Sequence, residues 1–214
     1  MPSDALSDLD PELYRTIQLR AKRQIRQRMS ALRRALPADA LAQRSAALTQ
    51  RVLELPLFEA ARSVALFWPM LARSETDLRD LDARSRALGK RIYYPFMTDQ
   101  GETLHTGFRL SEDATLLCEQ GRGFCEPPLD APVASPSDLD LIFVPALAAA
   151  PSGHRIGYGA GFYDATLPEF CPPAQSVVVV FDFQLLGELP VSPVDVPCDL
   201  VVTDKRTFER APRA

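Results

Sequence analysis

The spacing of apolar residues near the N-terminus predicts two helices. In the first, apolar residues recur every three or four positions, as on one face of an α-helix, at Leu13, Ile17, Ala21, Ile25, Met29 and Leu32. Asp10 and Pro11 suit the first turn, because aspartate caps helix N-termini and proline is tolerated there. Pro37 ends this helix, and "ADALAQRSAALTQRVLEL" predicts the second.

Short runs of β-branched and aromatic residues predict the strands of a sheet. The runs are "RSVALFWP", "RIYYPF", "LIFVP", "SVVVVFDF" and, as the last strand, "DLVVT". Two of them, "LIFVP" and "SVVVVFDF", are apolar at nearly every position, which is typical of strands covered on both faces. Between the first two runs, "SETDLRDLDARSRALGK" predicts a helix with Ser74 or Glu75 near its N-cap and Gly89 at its end.

The alternation of strands and helices predicts a single layered α/β domain over residues 1–214. We expect a Rossmann-like three-layer arrangement with a mostly parallel sheet and helices on both faces. The two N-terminal helices would pack outside this sheet. For residues 97–138 we expect a hairpin or a small lobe.

Composition and charge narrow the class of protein. The net charge of −4 disfavours a general nucleic-acid binder. No apolar run is long enough to span a bilayer and no secretory signal is visible, so we expect a cytoplasmic protein without a membrane partner, and a monomer. The four cysteines form no Cys-x-x-Cys pair and only His105 and His154 could join them, which disfavours a zinc cluster and predicts free thiols. The roles of the two histidines stay open.

The first predicted helix runs against the overall charge. Residues 13–38 contain eight basic residues and no acidic one: Arg15, Arg20, Lys22, Arg23, Arg26, Arg28, Arg33 and Arg34. A solvated basic face explains such a segment, and so does a helix that binds nucleic acid or another partner. The second interpretation predicts salt-sensitive binding to nucleic acid.

The segment "GHRIGYGAGFYD", residues 153–164, places four glycines between a predicted strand and a predicted helix. Such a loop can bind an anion, because backbone N–H groups and the helix dipole both favour phosphate. Arg155 would add a permanent cation, and Asp164 could hold a magnesium ion. A tight turn with Tyr158, Phe162 and Tyr163 in the core explains the glycines as well. The pattern is neither G-x-G-x-x-G nor a Walker A motif.

The same segment strongly resembles the C-terminal signature of the 5-formyltetrahydrofolate cyclo-ligase family, Gly-x-Arg-aliphatic-Gly-x-Gly-x-Gly-aromatic-Tyr-Asp. Further stretches agree in order and spacing: "KRQIR", "FWPMLARSETDL", "GFCEP" and "DLIFVPALA". The resemblance covers about residues 15–207. It implies an enzyme that closes 5-formyltetrahydrofolate, with or without a polyglutamate tail, to 5,10-methenyltetrahydrofolate, with ATP as co-substrate and Mg²⁺ as cofactor, releasing ADP and phosphate.

The resemblance also implies roles for individual residues. Arg155 and Lys22 would be the catalytic cations, and Asp164 and Asp195 the metal ligands. Glu75 would contact the folate. Trp68 and Phe108, like Phe96 and Phe124, could wall the pterin, although aromatic residues more often pack in a core. The ATP site would comprise Lys22, Arg26, Arg155, Gly157, Tyr158, Gly159, Ala160, Gly161, Phe162 and Tyr163.

The chain departs from the family pattern near the loop. Ala149 and Ala150 stand where an aromatic residue and a carboxylate are usual, and Ala165 replaces the usual arginine after Asp164. A divergent nucleotide-binding paralogue with an altered substrate is therefore an alternative function. If Lys22 and Arg155 are exposed residues that serve the nucleotide, alanine there should change stability by no more than about 0.5 kcal/mol.

Overall fold

The computed structural model describes residues 10–100, 103–121 and 123–210. Its strands are β1 (Ser63–Ala65), β2 (Arg91–Gln100), β3 (Thr103–Leu110), β4 (Cys118–Glu119), β5 (Cys125–Glu126), β6 (Leu141–Pro145), β7 (Ala148–Ala149), β8 (Arg155–Ile156), β9 (Gln175–Val179), β10 (Leu200–Val202) and β11 (Thr207–Glu209). Seven of these strands form one sheet in the order β11-β10-β9-β6-β1-β2-β3. The five central strands are parallel, and β11 and β3 are antiparallel edges. The expected mostly parallel α/β sheet is confirmed.

The helices are α1 (Pro11–Arg34), α2 (Ala38–Leu53), α3 (Pro56–Ala60), α4 (Arg79–Ala87) and α5 (Phe162–Phe170). The Asp10 side chain accepts a hydrogen bond from the Glu12 amide at 3.2 Å, so the predicted cap of α1 is confirmed. Within the described residues, no helix combines the length and apolar character needed to span a membrane.

The hydrophobic core has two halves, one on each face of the sheet. Alternate residues of a strand point to opposite faces. Thus Leu141 and Phe143 of β6 pack with α2, α3 and α4, while Ile142 and Val144 pack with α5. Both faces of the central strands are therefore covered, which explains why β6 and most of β9 are apolar.

Helix α1 lies apart from these two layers. Met29 is buried with Leu147 and Ala148 of the β7 region and with Ile156 of β8, so α1 packs against the β7–β8 hairpin rather than against the sheet. The apolar residues of its first half, such as Leu13 and Ile17, are exposed. The periodicity predicted the helix correctly, but not which of its residues are buried.

Several element boundaries differ from the sequence-based expectations. Helix α4 begins at Arg79 with Leu78 at its N-cap, so neither Ser74 nor Glu75 caps it. Gly89 follows its C-terminus with φ +74°, as expected. Residues 97–110 take the hairpin alternative, because β2 and β3 pair there. "DLVVT" is not the last strand, since β11 follows and pairs with β10.

Candidate active site

A cavity of about 900 Å³ opens at the carboxyl end of the parallel strands. From β1 the chain moves to β2 on one side and later returns to β6 on the other, so β1 and β6 flank a topological switch point. Open α/β sheets form ligand sites outside the strand ends at such a point. Trp68 after β1, Met97 of β2 and Pro145 of β6 line this cavity.

The glycine loop, residues 157–161, forms one wall of the cavity between β8 and α5. Gly159 and Gly161 have φ values of +108° and +73°, a region in which side chains are strained. Gly161 is also the N-cap of α5, and no side chain caps that helix. The first N–H groups of α5 are therefore available to an anionic ligand, and the dipole of α5 favours one.

Gly153, the first residue of the signature, has a purely structural role in this geometry. Its φ is +84°, and a Cβ here would overlap the carbonyl oxygen of Cys198. The Gly153 carbonyl accepts a hydrogen bond from the Cys198 amide at 2.9 Å. The missing side chain thus lets the segment around Cys198 lie directly against the loop.

Helix α1 runs along the glycine loop and aims three basic side chains toward it. Lys22 donates to Asp195 and, at 3.3 Å, to the Ser192 hydroxyl. Arg26 donates to the Gly157 carbonyl at 2.9 Å. Arg33, to which the family resemblance assigns no role, lies three turns after Lys22 on the same face and donates to the Tyr158 hydroxyl at 2.7 Å. That spacing of 4 and 11 residues is the signal that could have identified it.

Arg155 and Asp164 form a second cation–carboxylate pair beside the loop. Their Nη2 and Oδ1 atoms lie 2.9 Å apart, and Arg155 also donates to the Val196 carbonyl. The Val196 amide donates back to Asp164 at 3.1 Å. This bond holds the segment that carries Asp195 against the start of α5. The two expected metal ligands, Asp164 and Asp195, therefore belong to segments that are in contact.

The expectation that Lys22 and Arg155 are exposed is wrong. Their side chains are only 11 % and 5 % exposed, because each is bonded to a carboxylate and to other groups of the protein. Replacement by alanine would leave Asp195 or Asp164 without its cation. We therefore expect losses of stability well above about 0.5 kcal/mol, which is the bound for simple surface positions.

The donor atoms of Asp164 and Asp195 suit a magnesium ion. Mg²⁺ prefers carboxylate oxygens and is usually held by one or two carboxylates together with substrate phosphates and waters. Both aspartates line the cavity, and the Asp164 side chain is 36 % exposed. Burial alone would raise the pKa of Asp195, but hydrogen bonds from Lys22 and Ser192 lower it below its ordinary value, which keeps the carboxylate charged. In the described residues, no cluster of three or more acidic, His or Cys side chains is present to hold a metal without substrate.

Glu75 lines the same cavity as the glycine loop and is 5 % exposed. Its oxygens accept hydrogen bonds from the Met70 amide at 2.8 Å and the Tyr158 hydroxyl at 2.6 Å. Ser74 precedes it with φ +51°, a conformation that turns the chain toward the cavity before α4 begins. Burial raises the pKa of Glu75, against the opposing hydrogen bonds and the charges of Arg33 and Arg73.

The predicted aromatic residues do not all reach the cavity. Trp68 and Phe124 line it, and Trp68 meets Tyr94 edge-on. Phe108 is 0 % exposed and packs between Phe162 and Phe170 in the core, so its predicted contact with folate has no support in the structure. Phe96 is also buried and does not line the cavity.

The remaining positions discussed in the sequence are three alanines, two histidines and four cysteines. Ala149 and Ala150 are buried at β7, and Ala165 lines the cavity. His154 lies outside the cavity lining, with Nδ1 3.1 Å from the Ser152 hydroxyl, and burial lowers its pKa. The side chain of His105 is outside the described residues. No disulfide joins any of the four cysteines, all of which lie in the described part of the chain.

The site at the strand ends combines an uncapped helix N-terminus, two cation–carboxylate pairs and a buried glutamate. This combination is typical of an α/β enzyme with an anionic ligand. Comparison with known sequences gives the family. The model of the 5-formyltetrahydrofolate cyclo-ligase family matches residues 18–204, so the chain belongs to this family of ligases.

Individual relatives agree. The chain is 31 % identical over 189 residues to the 5-formyltetrahydrofolate cyclo-ligase of Escherichia coli K12, covering 86 % of this chain and 99 % of that protein. A Mycolicibacterium smegmatis protein of the same name is 48 % identical over 80 residues, which are 37 % of this chain and 41 % of that protein. The solved 5,10-methenyltetrahydrofolate synthetase of Aquifex aeolicus superposes with a TM-score of 0.75 at 27 % identity, covering 90 % of this chain and 95 % of that one.

Proposed function

We propose that the protein uses ATP and Mg²⁺ to cyclise 5-formyltetrahydrofolate to 5,10-methenyltetrahydrofolate, releasing ADP and phosphate. One observation carries the proposal: in a chain of this family, the glycine loop and the buried Glu75 line one cavity, and Tyr158 of the loop is hydrogen-bonded to Glu75. A nucleotide on one wall and a folate on the other would bring their reacting groups together.

The chemistry explains why ATP is needed. A formamide oxygen is a poor leaving group, so it first attacks the γ-phosphorus of ATP, and ADP leaves. The folate N10 then attacks the activated formyl carbon, the carbon–oxygen bond breaks to release phosphate, and N10 loses its proton. No protein nucleophile is required, and the enzyme works by positioning two substrates and neutralising phosphate charge.

The proposed nucleotide site is the wall formed by the loop and α1. The N–H groups at the start of α5 would bind phosphate oxygens, together with Lys22, Arg26 and Arg155. Lys22 and Arg155 are the proposed catalytic cations, since each also holds one of the two aspartates in place. Asp164 and Asp195 would hold Mg²⁺, which when bound offsets the negative charge of the phosphates.

The proposed folate site is the opposite wall. The Glu75 carboxylate can accept hydrogen bonds from the N–H groups of the pterin, and Trp68 offers a flat apolar surface. Arg73 also lines the cavity, and its exposed guanidinium could pair with the folate carboxylates. Use of polyglutamylated substrate, a monomeric state, a single domain and a cytoplasmic location stay predictions.

The test is a direct assay of the methenyl product by its absorbance. Purified protein, 5-formyltetrahydrofolate, ATP and Mg²⁺ should yield product, and omission of ATP or of Mg²⁺ should abolish it. Product without ATP, or none from folded protein with all components, contradicts the proposal. A folded protein that binds ATP but forms no product would instead support a nucleotide-binding paralogue with another substrate.

The metal site has its own variant. Asp164→Asn keeps the size of the side chain and its ability to accept from Arg155, but asparagine is a weaker Mg²⁺ ligand. We expect a normally folded protein that loses most turnover and needs much more Mg²⁺ for the remainder. An unchanged Mg²⁺ dependence would remove Asp164 from the metal site.

The structure supports the alternative function, a basic helix that binds nucleic acid or another partner, less than the sequence does. Three of the eight basic residues, Lys22, Arg26 and Arg33, are bonded to the site. Five remain exposed: Arg15, Arg20, Arg23, Arg28 and Arg34. Salt-sensitive binding of duplex DNA or RNA at micromolar protein would revive this alternative.

A further inference from the structure

A short chain of hydrogen bonds joins two segments that line the cavity, the glycine loop and the segment that carries Glu75. The Tyr158 hydroxyl belongs to the glycine loop and lies 2.6 Å from the Glu75 carboxylate. Arg33 of α1 donates to the same hydroxyl at 2.7 Å. A guanidinium group only donates, so the hydroxyl accepts from Arg33 and gives its own proton to the bond with Glu75.

Arg33 also anchors the wall that carries Glu75. Its Nε atom donates to the Arg73 carbonyl at 3.0 Å, two residues before Glu75 in the chain. The side chain belongs to a residue that is only 1 % exposed, and its guanidinium carbon lies 5.7 Å from the centre of the Tyr158 ring. Arg33 is therefore fixed between the loop and the Glu75 segment and contacts both.

Glu75 depends on this chain for much of its polar environment. Within the described residues it takes part in no ion pair, and its hydrogen bonds come from Tyr158 and Met70. A buried carboxylate is sensitive to the loss of a donor, because water cannot replace the bond. A shift of the glycine loop that moves Tyr158 therefore alters the orientation and hydrogen bonding of Glu75.

We propose that Tyr158 and Arg33 are positioning residues that couple the two proposed substrate subsites, so that each substrate increases the affinity for the other. A nucleotide that fixes the glycine loop also fixes the Tyr158 hydroxyl, and the folate then meets an ordered Glu75. Linkage requires the reverse effect to be equally large. The inference rests on the proposed function, since it needs ATP on one wall and folate on the other.

The experiment measures this coupling by calorimetry. 5-Formyltetrahydrofolate is titrated into the protein with Mg²⁺, with and without a saturating non-hydrolysable ATP analogue. In the wild type we expect the analogue to lower the Kd of folate about tenfold, within the usual range of coupling between sites. In Tyr158→Phe the ratio should fall below about twofold, whatever change the lost hydroxyl causes in the Kd of folate measured alone.

Two further measurements separate positioning from a loss of stability. Tyr94→Phe is the matched control, because Tyr94 also donates to a buried carboxylate, that of Asp82 at 2.8 Å, but does not line the cavity. It should lower the melting temperature and leave the tenfold ratio intact. In steady-state kinetics the KM for folate should fall with rising ATP in the wild type and in Tyr94→Phe, and stay constant in Tyr158→Phe.

The Arg33 variants give an independent test if Tyr158→Phe fails to fold. Arg33→Met should lose the coupling as Tyr158→Phe does, and Arg33→Lys, which can still donate to Tyr158, should restore part of it. A tenfold ratio that persists in Tyr158→Phe or Arg33→Met overturns the inference, and so does a wild type in which both ligands bind independently. A wild type that binds neither ligand instead refutes the proposed function, and the inference falls with it.

Discussion

Two clusters in this protein combine an arginine, a tyrosine and a buried carboxylate, and they differ in how they are built. In one, Arg86 and Asp82 lie one turn apart on α4, and Tyr94 of β2 donates to Asp82. In the other, Arg33, Tyr158 and Glu75 come from α1, the glycine loop and the segment before α4. The outermost residues of the first cluster, Asp82 and Tyr94, are 12 positions apart in the chain, whereas Arg33 and Tyr158 of the second are 125 positions apart.

The clusters also differ in how fully their polar atoms are satisfied. Arg86 bonds directly to both oxygens of Asp82 and to the carbonyl oxygens of Ser111 and Glu112. Arg33 reaches its carboxylate only through a tyrosine hydroxyl, and its Nη1 has no partner among the described residues. A satisfied cluster stabilises the fold, and an incompletely satisfied one at a cavity is typical of a functional site.

The largest expected effect separates the clusters by activity. Glu75→Gln should lower kcat/KM about a hundredfold, which corresponds to about 2 to 3 kcal/mol, because a charged acceptor for the folate is lost. Asp82→Asn, the matched change in the other cluster, should stay within about twofold of the wild type. Both values come from initial rates at a temperature where each variant is folded. Equal losses in the two variants would mean that Glu75 has only a structural role.

Stability should show the opposite order. Arg86→Met leaves Asp82 without its cation and should lower the free energy of unfolding by about 2 kcal/mol. Arg33→Met, although more deeply buried, removes an unpartnered N–H and leaves no carboxylate without an ion pair, so we expect a loss of about 1 kcal/mol. Urea unfolding of both variants measures the difference. A larger loss of unfolding free energy for Arg33→Met than for Arg86→Met would mean that the cluster of Arg33, Tyr158 and Glu75 mainly stabilises the fold.

A pH series provides a third test at Glu75. Burial raises the pKa of Glu75 above its ordinary value of 4.5, so the folded protein holds this proton more tightly than the unfolded chain. Ionisation of Glu75 should therefore lower stability as the pH rises from 4.5 through the native pKa. Glu75→Gln lacks this loss, so the melting temperature of the variant minus that of the wild type should increase over this window. A constant difference would show that the pKa of Glu75 is not raised.

The smallest effect concerns the backbone that presents Glu75. Ser74 has φ +51°, which costs a non-glycine residue about 1 kcal/mol or more, and glycine avoids the strain at some entropic cost. Ser74→Gly should therefore raise the free energy of unfolding by about 0.5 kcal/mol, and Ser74→Ala, which keeps the strain, should not. Urea midpoints compare the two. A stabilising effect of both would locate the cause in the serine hydroxyl instead.

Sequence patterns predicted most strands and helices correctly, because the residues that define each of these elements are consecutive in the chain. The runs "LIFVP" and "SVVVVFDF" contain residues for both faces of the sheet, and the structure covers both faces. Strand β11 was missed because "TFE" is short and only one of its residues is strongly apolar. It is held as an antiparallel edge by pairing with β10, which no local pattern encodes.

The site could be predicted from the sequence only where its geometry depends on residues that are close together in the chain. The glycine loop could be recognised because Gly159 and Gly161 take conformations that favour glycine. Glu75 was expected near a helix start, since Ser-Glu before an apolar run resembles a cap, but the turn at Ser74 delays α4 until Arg79. The burial of Lys22 and Arg155 depends on Asp195 and Asp164, and charge patterns alone do not identify such partners.

The contact between Lys22 and Asp195 has a consequence for synthesis of the chain. It joins positions 173 residues apart, and the Val196 amide completes the surroundings of Asp164. A ribosome that has made α1, the sheet strands through β9 and the glycine loop has therefore still not produced the complete wall that we propose for the nucleotide. The wall closes only when the segment at residues 192–196 emerges. A nascent chain stalled before it would carry the recognisable signature and yet lack Asp195, the ion-pair partner of Lys22, and Val196, whose backbone bonds to Arg155 and Asp164.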